Sequence, residues 1–206
     1  MIKITPIIPS DPIQSNSYLI DCGGEYVLID APMSAVKTAV SLKNKLKAVL
    51  LTHGHFDHIG GLNEIAVQTG ATVYIHEADA KMLSDPNESL AAAMNLFKFE
   101  TYNGEYKAIK DREVLTFGDT EILVRSNPGH TRGSLSFVCE DNFFSGDFLF
   151  SGGIGRTDFP GGDYRDMLNS INEFKNFATD KNYRINPGHD SATDSETEIK
   201  YNPYFR

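Results

Sequence analysis

The chain has 206 residues, of which 40% are hydrophobic and 23% charged, and this length suffices for one domain with a sizeable core or two very small ones. The formal net charge of −9 and the lack of a basic run argue against extended contact with nucleic acid or with an anionic membrane surface. No apolar stretch approaches the roughly 18 residues that a membrane span needs.

The first part of the chain alternates between strand-like runs and turn signals. Residues 2–8 predict a strand, and residues 17–29 predict a hairpin closed by Gly23-Gly24. Ser34 has the character of a helix N-cap, because apolar residues follow it at roughly helical spacing. A short buried strand is predicted at 47–51.

The middle of the chain predicts a helix that begins after Gly60-Gly61 and ends at Gly70, then a strand at 72–75 and a helix at 77–83. Residues 87–112 are the least regular part. They predict either a helix at 91–97 or a mobile loop that covers a site.

The last part of the chain returns to strands. The predicted elements are strands at 114–117, 121–126, 134–139 and 142–145, a glycine-rich loop at 152–162, a helix at 163–177 and a strand at 184–185. Two groups of strands with helices between them predict a layered α/β domain in which one sheet packs on another.

The two cysteines, Cys22 and Cys139, lie far apart in the sequence and show no pairing pattern. Such a pair is typical of buried thiols in a reducing compartment. Residues 1–10 contain two prolines and no long apolar run, so we expect no signal peptide. We therefore predict a cytoplasmic location.

Three of the six histidines fall within six residues, directly after the strand predicted at 47–51. They form the motif His53-x-His55-x-Asp57-His58, and a strand end is a place where a rigid sheet can aim side chains. Imidazole and carboxylate are ligands that zinc takes. Because alternate residues diverge, these four side chains suit two neighbouring metal ions better than one.

Two more histidines each end a copy of the same four-residue motif, and each copy follows a predicted strand. Asn-Pro-Gly-His ends at His130 and again at His189, so we predict that a proline-glycine turn ends each strand and presents an imidazole. Asp147 in Phe-Ser-Gly-Asp follows the same logic with a carboxylate.

Two further polar residues are given different roles. His76 has no turn of this kind beside it, so we interpret it as an ordinary surface or core histidine. Asp30 ends a strand, and we expect its carboxylate to orient a metal ligand or the loop that carries one, with a simple helix-cap or turn role as the alternative.

The motif Thr52-His53-Gly54-His55-Phe56-Asp57-His58, followed by His130, Asp147 and His189, resembles the metallo-β-lactamase superfamily. The chain is most similar to its glyoxalase II (hydroxyacylglutathione hydrolase) branch. The loop Gly153-Ile154-Gly155-Arg156-Thr157-Asp158-Phe159 resembles that of the short, single-domain bacterial members. The resemblance covers essentially residues 1–206. It implies one hydrolase domain with an αββα sandwich of two mixed sheets flanked by helices, and a site at one edge between the sheets.

The resemblance also implies a ligand set. His53, His55 and His130 would hold the first metal; Asp57, His58 and His189 would hold the second; and Asp147 would bridge the two together with a water or hydroxide. The cofactors would be two divalent metal ions, zinc in the usual description of the family, with iron and manganese as alternatives.

The implied activity is hydrolysis of a small-molecule thioester, such as S-lactoylglutathione to lactate and glutathione. Asp57 would be catalytic, because it lies beside the hydroxide and could orient it or accept its proton. Typical glyoxalase II enzymes carry a C-terminal helical domain that binds glutathione. Because this chain ends soon after His189, we expect that domain to be absent, which leaves another thioester or ester as a substrate.

Other functions remain open at this stage. The first is a persulfide dioxygenase, which resembles this chain in its Gly-Arg-Thr-Asp-Phe stretch but uses one iron, here held by His53 or His55, His130 and Asp147. The others are a lactonase or another esterase of the same fold, and a non-enzymatic metal-storage or scaffold protein.

Arg156 and Tyr164 are candidates for substrate contact, and for Arg156 an ion pair with Asp158 or Asp163 is the alternative. The aromatic residues Phe97, Phe99, Tyr102 and Tyr106 either line a pocket or belong to the core.

Overall fold

The computed structural model describes residues 2–9, 13–94 and 99–206, which form two six-stranded sheets and a two-stranded ribbon. The strands are Lys3–Ile7 (β1), Ser17–Asp21 (β2), Tyr26–Ile29 (β3), Leu46–Leu50 (β4), Thr72–Ile75 (β5), Tyr106–Ala108 (β6), Val114–Phe117 (β7), Thr120–Ser126 (β8), Leu135–Cys139 (β9), Asn142–Gly146 (β10), Leu149–Phe150 (β11), Gly153–Ile154 (β12), Arg184–Pro187 (β13) and Thr193–Asp194 (β14). The α-helices are Val36–Leu42 (α1), Phe56–Ile59 (α2), Leu62–Thr69 (α3), Ala91–Met94 (α4), Tyr164–Phe177 (α5) and Ser195–Tyr201 (α6).

Both large sheets are mixed. The first has the order β1-β2-β3-β4-β5-β6, antiparallel up to β3 and parallel from β3 onwards. The second has the order β14-β13-β10-β9-β8-β7, in which only β10 and β13 are parallel among the described strands. The prediction of two mixed sheets flanked by helices is confirmed.

Strand residues alternate between two buried faces, which places the core in three layers. On β4, Ala48 and Leu50 pack between the sheets, whereas Val49 packs outwards against α1 and α3. On β10, Phe144 packs between the sheets and Phe143 packs outwards against α5. Helices therefore cover both outer faces because the central strands are apolar on both sides.

Strand direction brings the predicted ligands to one edge of the sandwich. In the first sheet β3 and β4 are parallel; in the second β8, β10 and β13 all run in one direction, because β8 and β10 are each antiparallel to β9. Each of these five strands is followed by a polar residue singled out above, so the carboxyl ends of the strands carry the candidate site.

The prediction for Ser34 is wrong. Ser34 does not cap a helix: it lies inside a 3₁₀ turn at Met33–Ala35, and neither this turn nor α1 has a side-chain cap. Strand β6 at Tyr106–Ala108, which extends the first sheet, was not predicted within residues 87–112. Strand β14 and helix α6, which follow His189, have no counterpart in the sequence predictions.

The helix predicted at 91–97 is present over Ala91–Met94, and its remainder, Phe97 included, lies outside the described residues. Within the described residues, no helix combines the length and the apolar character needed to cross a membrane.

We expect Phe144→Ala to lower the free energy of unfolding by about 3–5 kcal/mol, because it removes a fully buried ring from between the sheets. The ring of Phe144 also lies 5.2 Å from that of Tyr18, and this contact would be lost. Urea denaturation followed by circular dichroism measures the change. Val67→Ala is the control: Val67 is 73% exposed on α3, so its loss should change the free energy by no more than about 0.5 kcal/mol. Equal effects of the two substitutions would contradict the proposed core.

Candidate metal centre

The predicted ligands lie on turns that follow the strand ends. His53 and His55 belong to the turn after β4, while Asp57 and His58 lie in the single helical turn α2. His130 follows β8, Asp147 follows β10 and His189 follows β13. Helix α2 begins at Phe56, within the motif, so Asp57 and His58 are positioned by helical backbone and His53 and His55 by the preceding turn.

The structure brings all seven predicted side chains together. Their ligand atoms fall into three overlapping groups, within each of which all atoms lie within 4.8 Å of one another: His53, His55 and His130; His53, His58 and Asp147; and Asp57, His58 and His189. The first and third groups are the two sets that the resemblance implies.

In the first set, two ring nitrogens face each other. His55 Nδ1 and His130 Nε2 are 2.9 Å apart, and the His53 ring lies edge-on to both, with centroids 4.7 and 4.8 Å away. Three imidazoles that converge in this way form the donor set that a zinc-type cation accepts.

In the second set, carboxylate oxygens and ring nitrogens face each other. Asp57 Oδ2 lies 3.0 Å from His189 Nε2 and 3.7 Å from His58 Nε2. Asp147 lies between the sets: its Oδ1 is 3.2 Å from His58 Nε2, and its Oδ2 is 3.5 Å from His130 Nε2. One carboxylate therefore contacts ligand atoms of both sets.

Unsatisfied buried atoms test whether this cluster fits a metal pair. Nine buried side-chain atoms have no hydrogen-bond partner among the described residues, and four of them belong to predicted ligands: His53 Nε2, His55 Nε2, His58 Nε2 and Asp147 Oδ1. Leaving a buried polar atom unpaired costs about 1–3 kcal/mol. Because these four lie in one cluster of histidines and aspartates, the residues present fit two adjacent cations.

Asp30 orients ligands of both sets. Its Oδ2 accepts a hydrogen bond from His58 Nδ1 at 2.8 Å and another from the Thr52 hydroxyl at 2.9 Å. The Thr52 hydroxyl in turn lies 3.1 Å from His53 Nδ1 and can accept the proton on that nitrogen. In both histidines Nδ1 is thus engaged and Nε2 is left for a metal. These contacts support the orienting role expected for Asp30.

Three residues hold the ligand turns through contacts that were not predicted from the sequence. The backbone carbonyl of Arg156 lies 2.7 Å from His130 Nδ1 and accepts its proton, which leaves Nε2 for a metal. Asn16 Nδ2 donates to the carbonyls of Pro187 and Asp190, and the Tyr18 hydroxyl donates to that of Pro187, so both hold the turn that carries His189. None has a sequence signal, because the contacts join distant segments and largely involve backbone atoms.

Burial and neighbouring charges set the protonation of the cluster. Burial, together with the neighbouring His130, lowers the pKa of His55 to about 3 and also lowers the pKa of His53, so both rings are neutral. Burial disfavours charge on His58 and His189 as well. Nevertheless Asp30, Asp57 and Asp147 raise the pKa of His58, and a hydrogen bond to Asp57 together with the charge of Asp147 raises that of His189.

A cavity of about 530 Å³ opens beside the cluster. Its walls include Leu90, Met94, Phe150 and Phe159, which are apolar, together with the half-exposed Arg156 and several of the ligands. The Arg156 guanidinium stacks on Phe159 at 3.9 Å and pairs with Asp158 through two contacts of 2.6 and 2.7 Å, so the predicted ion pair with Asp158 is present. Contact of Arg156 with substrate stays a prediction.

The other candidates lie elsewhere. Tyr102 is buried in the outer core, Phe99 packs against that core and Tyr106 lies on the edge strand β6, so these three described aromatic residues do not line the cavity. Tyr164 is exposed and also lies outside the cavity wall. His76 caps the 3₁₀ helix at Glu77–Leu83 by accepting from the Ala78 amide, in keeping with its interpretation as an ordinary histidine.

Comparison with known proteins gives the following matches. The family model described as the metallo-beta-lactamase superfamily matches residues 10–189. A probable metallo-hydrolase of Bacillus subtilis is 33% identical, with 96% of this chain and 95% of that protein covered. The hydroxyacylglutathione hydrolase GloC of Haemophilus influenzae is 31% identical, with 93% and 88% covered.

Solved structures with the same fold include the BLEG-1 B3 metallo-beta-lactamase, with a TM-score of 0.87, 31% identity and coverage of 98% of this chain and 99% of that one. A di-iron-bound form of TTHA1623 has a TM-score of 0.81 and 28% identity, with 97% and 99% covered. ETHE1 from Myxococcus xanthus has a TM-score of 0.75 and 25% identity, with 98% and 83% covered.

We expect zinc binding to release protons at neutral pH, because His58 and His189, whose pKa values are raised, must lose their protons to become ligands. Apparent affinity should therefore rise with pH and fall on acidification, by about tenfold per pH unit for each proton displaced. Calorimetry in buffers of different ionisation enthalpy measures the number of protons released. His76→Ala is the control and should leave that number unchanged. Binding without proton release would contradict this protonation pattern.

Proposed function

Because the chain belongs to the metallo-β-lactamase superfamily, whose members are metal-dependent hydrolases, we propose that it hydrolyses a small-molecule thioester in the manner of glyoxalase II. The observation that carries this proposal is the pair of ligand sets joined by Asp147, with a cavity beside them. The similarity to the hydroxyacylglutathione hydrolase of Haemophilus influenzae supports thioester chemistry.

The proposed ligands are His53, His55 and His130 for one cation, Asp57, His58 and His189 for the other, and Asp147 for both. Two such cations, when bound, would lower the pKa of a coordinated water to about 7 and would polarise the substrate carbonyl. Zinc and iron both fit these ligand types, and manganese is a further candidate.

Asp57 is the residue we propose to handle the proton of the attacking water. Its side chain is 12% exposed, borders the cavity and lies 3.0 Å from His189 Nε2. It is therefore held in place on one side and open to solvent on the other. His53 and His58, by contrast, are fully buried and serve to hold metal. The apolar cavity wall formed by Leu90, Met94 and Phe150 would exclude water from the acyl group.

Two other activities are compared with thioester hydrolysis in the experiment below: persulfide oxidation, and hydrolysis of a lactone or another ester. A persulfide dioxygenase would need one iron, whereas the second set of Asp57, His58 and His189 lies assembled beside the first and favours two ions. A lactonase or another esterase would use the same ligands and differ only in substrate.

The central experiment pairs metal analysis with a substrate screen. Protein purified without added metal is analysed for metal content, loaded with zinc or iron, and offered S-lactoylglutathione, other thioesters, lactones and glutathione persulfide. We expect two metals per chain and release of thiol, measured with a thiol reagent. Turnover no faster than with free metal would contradict the proposal. One iron per chain, with oxygen uptake on the persulfide, would replace it with the dioxygenase.

We expect Asp57→Asn to lower kcat for the thioester by about 10²–10⁴-fold, because the amide cannot accept a proton. Metal content is measured in parallel, so that loss of the second metal can be separated from loss of proton transfer. The matched control is Asp141→Asn, since the Asp141 side chain is 73% exposed and pairs only with Lys181 among the described salt bridges. A fully loaded Asp57→Asn variant with normal kcat would show that Asp57 is a ligand alone.

A further inference from the structure

A second buried carboxylate lies beneath the first ligand set. Asp79 belongs to the 3₁₀ helix at Glu77–Leu83 and is completely shielded from solvent. It is not among the seven candidate ligands, and its side-chain hydrogen bonds to described residues come from an uncharged hydroxyl and a backbone amide. A buried carboxylate without a cationic partner needs a specific set of hydrogen-bond donors to be tolerated.

One group of donors comes from the turn that carries His130. The hydroxyl of Thr131, the next residue, donates to Asp79 Oδ2 at 2.6 Å, and the Gly133 amide donates to Oδ1 at 2.8 Å. Ser134 completes the arrangement: its hydroxyl accepts from the Thr131 amide at 3.0 Å and lies 2.7 Å from the Thr131 hydroxyl. Because the single Thr131 hydroxyl proton goes to Asp79, Ser134 is the donor in that last contact.

The helix that carries Asp79 also packs against the turn of His53 and His55. A Cβ atom on Gly54, which lies between the two histidines, would lie 3.2 Å from the Asp79 backbone oxygen. The Asp79 carboxylate thus accepts from the His130 turn, while the helix that carries it lies directly against the other turn of the first ligand set.

Close packing supports the same arrangement. A Cβ atom on Gly133 would lie 2.6 Å from Asp79 Cγ, and one on Gly54 would lie 2.5 Å from Met82 Cβ. Both turns thus have glycine where the helix that carries Asp79 comes nearest to them.

We propose that Asp79 is the positioning residue of the first metal subsite: it holds the His53–His55 turn and the His130 turn at a fixed separation. Asp30 does the corresponding work for His58 through a direct contact. This inference rests on the ligand assignment proposed above, but not on the identity of the substrate.

The test uses backgrounds with a single metal subsite. His189→Ala removes a ligand of the second subsite, and His130→Ala removes one of the first. In the His189→Ala background, we expect Asp79→Asn to weaken zinc binding by about 10–100-fold in competition with a chromophoric chelator. In the His130→Ala background, we expect Asp79→Asn to change zinc affinity by less than about threefold, because Asp30 holds His58, and Asn16 and Tyr18 hold the turn that carries His189.

Two controls separate positioning from loss of fold stability. Glu198→Gln alters another buried carboxylate, which accepts from the Gly152 amide, Thr193 and Asn202, far from Asp79 along the chain. It should lower the free energy of unfolding without selectively weakening the first subsite. Thr131→Val should reproduce the effect of Asp79→Asn, and Thr131→Ser, which keeps the hydroxyl, should restore zinc affinity.

Each outcome decides the inference. Equal weakening in both backgrounds, or no weakening in either, would overturn it. Wild-type chain that binds no zinc would overturn the ligand assignment and this inference with it. Selective weakening in a chain that hydrolyses no thioester would uphold the role of Asp79 and refute only the proposed substrate class.

Discussion

The site depends on one constraint: several imidazoles are packed together at a sandwich edge where solvent does not reach most of them. The His53 ring centroid lies 4.1–4.8 Å from those of His58, His55 and His130, and these four residues are at most 3% exposed. Side chains this close and this dry cannot all be protonated, because like charges would repel each other in a medium of low dielectric constant. The sheet edges must therefore hold the rings rigidly in an arrangement that is costly in the absence of a cation.

Two buried carboxylates keep that arrangement in place from below. Asp30 contacts His58 and, through Thr52, reaches His53, and its backbone has a φ of +57°. Aspartate tolerates this left-handed conformation better than most residues do, so the chain can turn sharply at the end of β3 and still direct a carboxylate into the site. Asp79 lies in the 3₁₀ helix at Glu77–Leu83 and accepts hydrogen bonds from the Thr131 hydroxyl and the Gly133 amide. The ligands are thus held by groups that have no direct access to substrate.

The sequence predicted most of the fold and the positions of the candidate ligands, because both leave local signals. Short apolar runs bounded by turn residues mark the strands, and His-x-His-x-Asp-His and the two Asn-Pro-Gly-His turns mark the strand ends. Contacts across the fold leave no such signal. Asn16, Tyr18, Asp79 and the Arg156 carbonyl act through partners far away in the chain, and β6 is so short and exposed that only its pairing with β5 identifies it as a strand. Ser34 shows the reverse error: its residue type suits a cap, but the preceding Pro32 already fixes the start of the turn.

The contact between His130 and residue 156 has an evolutionary consequence. The acceptor is a main-chain oxygen, which every amino acid possesses, whereas the guanidinium of the same residue borders the cavity. Mutation at this position can change what the cavity wall presents to a bound molecule without removing the group that fixes the imidazole tautomer. A substitution at position 156 can therefore change substrate preference while the backbone contact that orients His130 is kept.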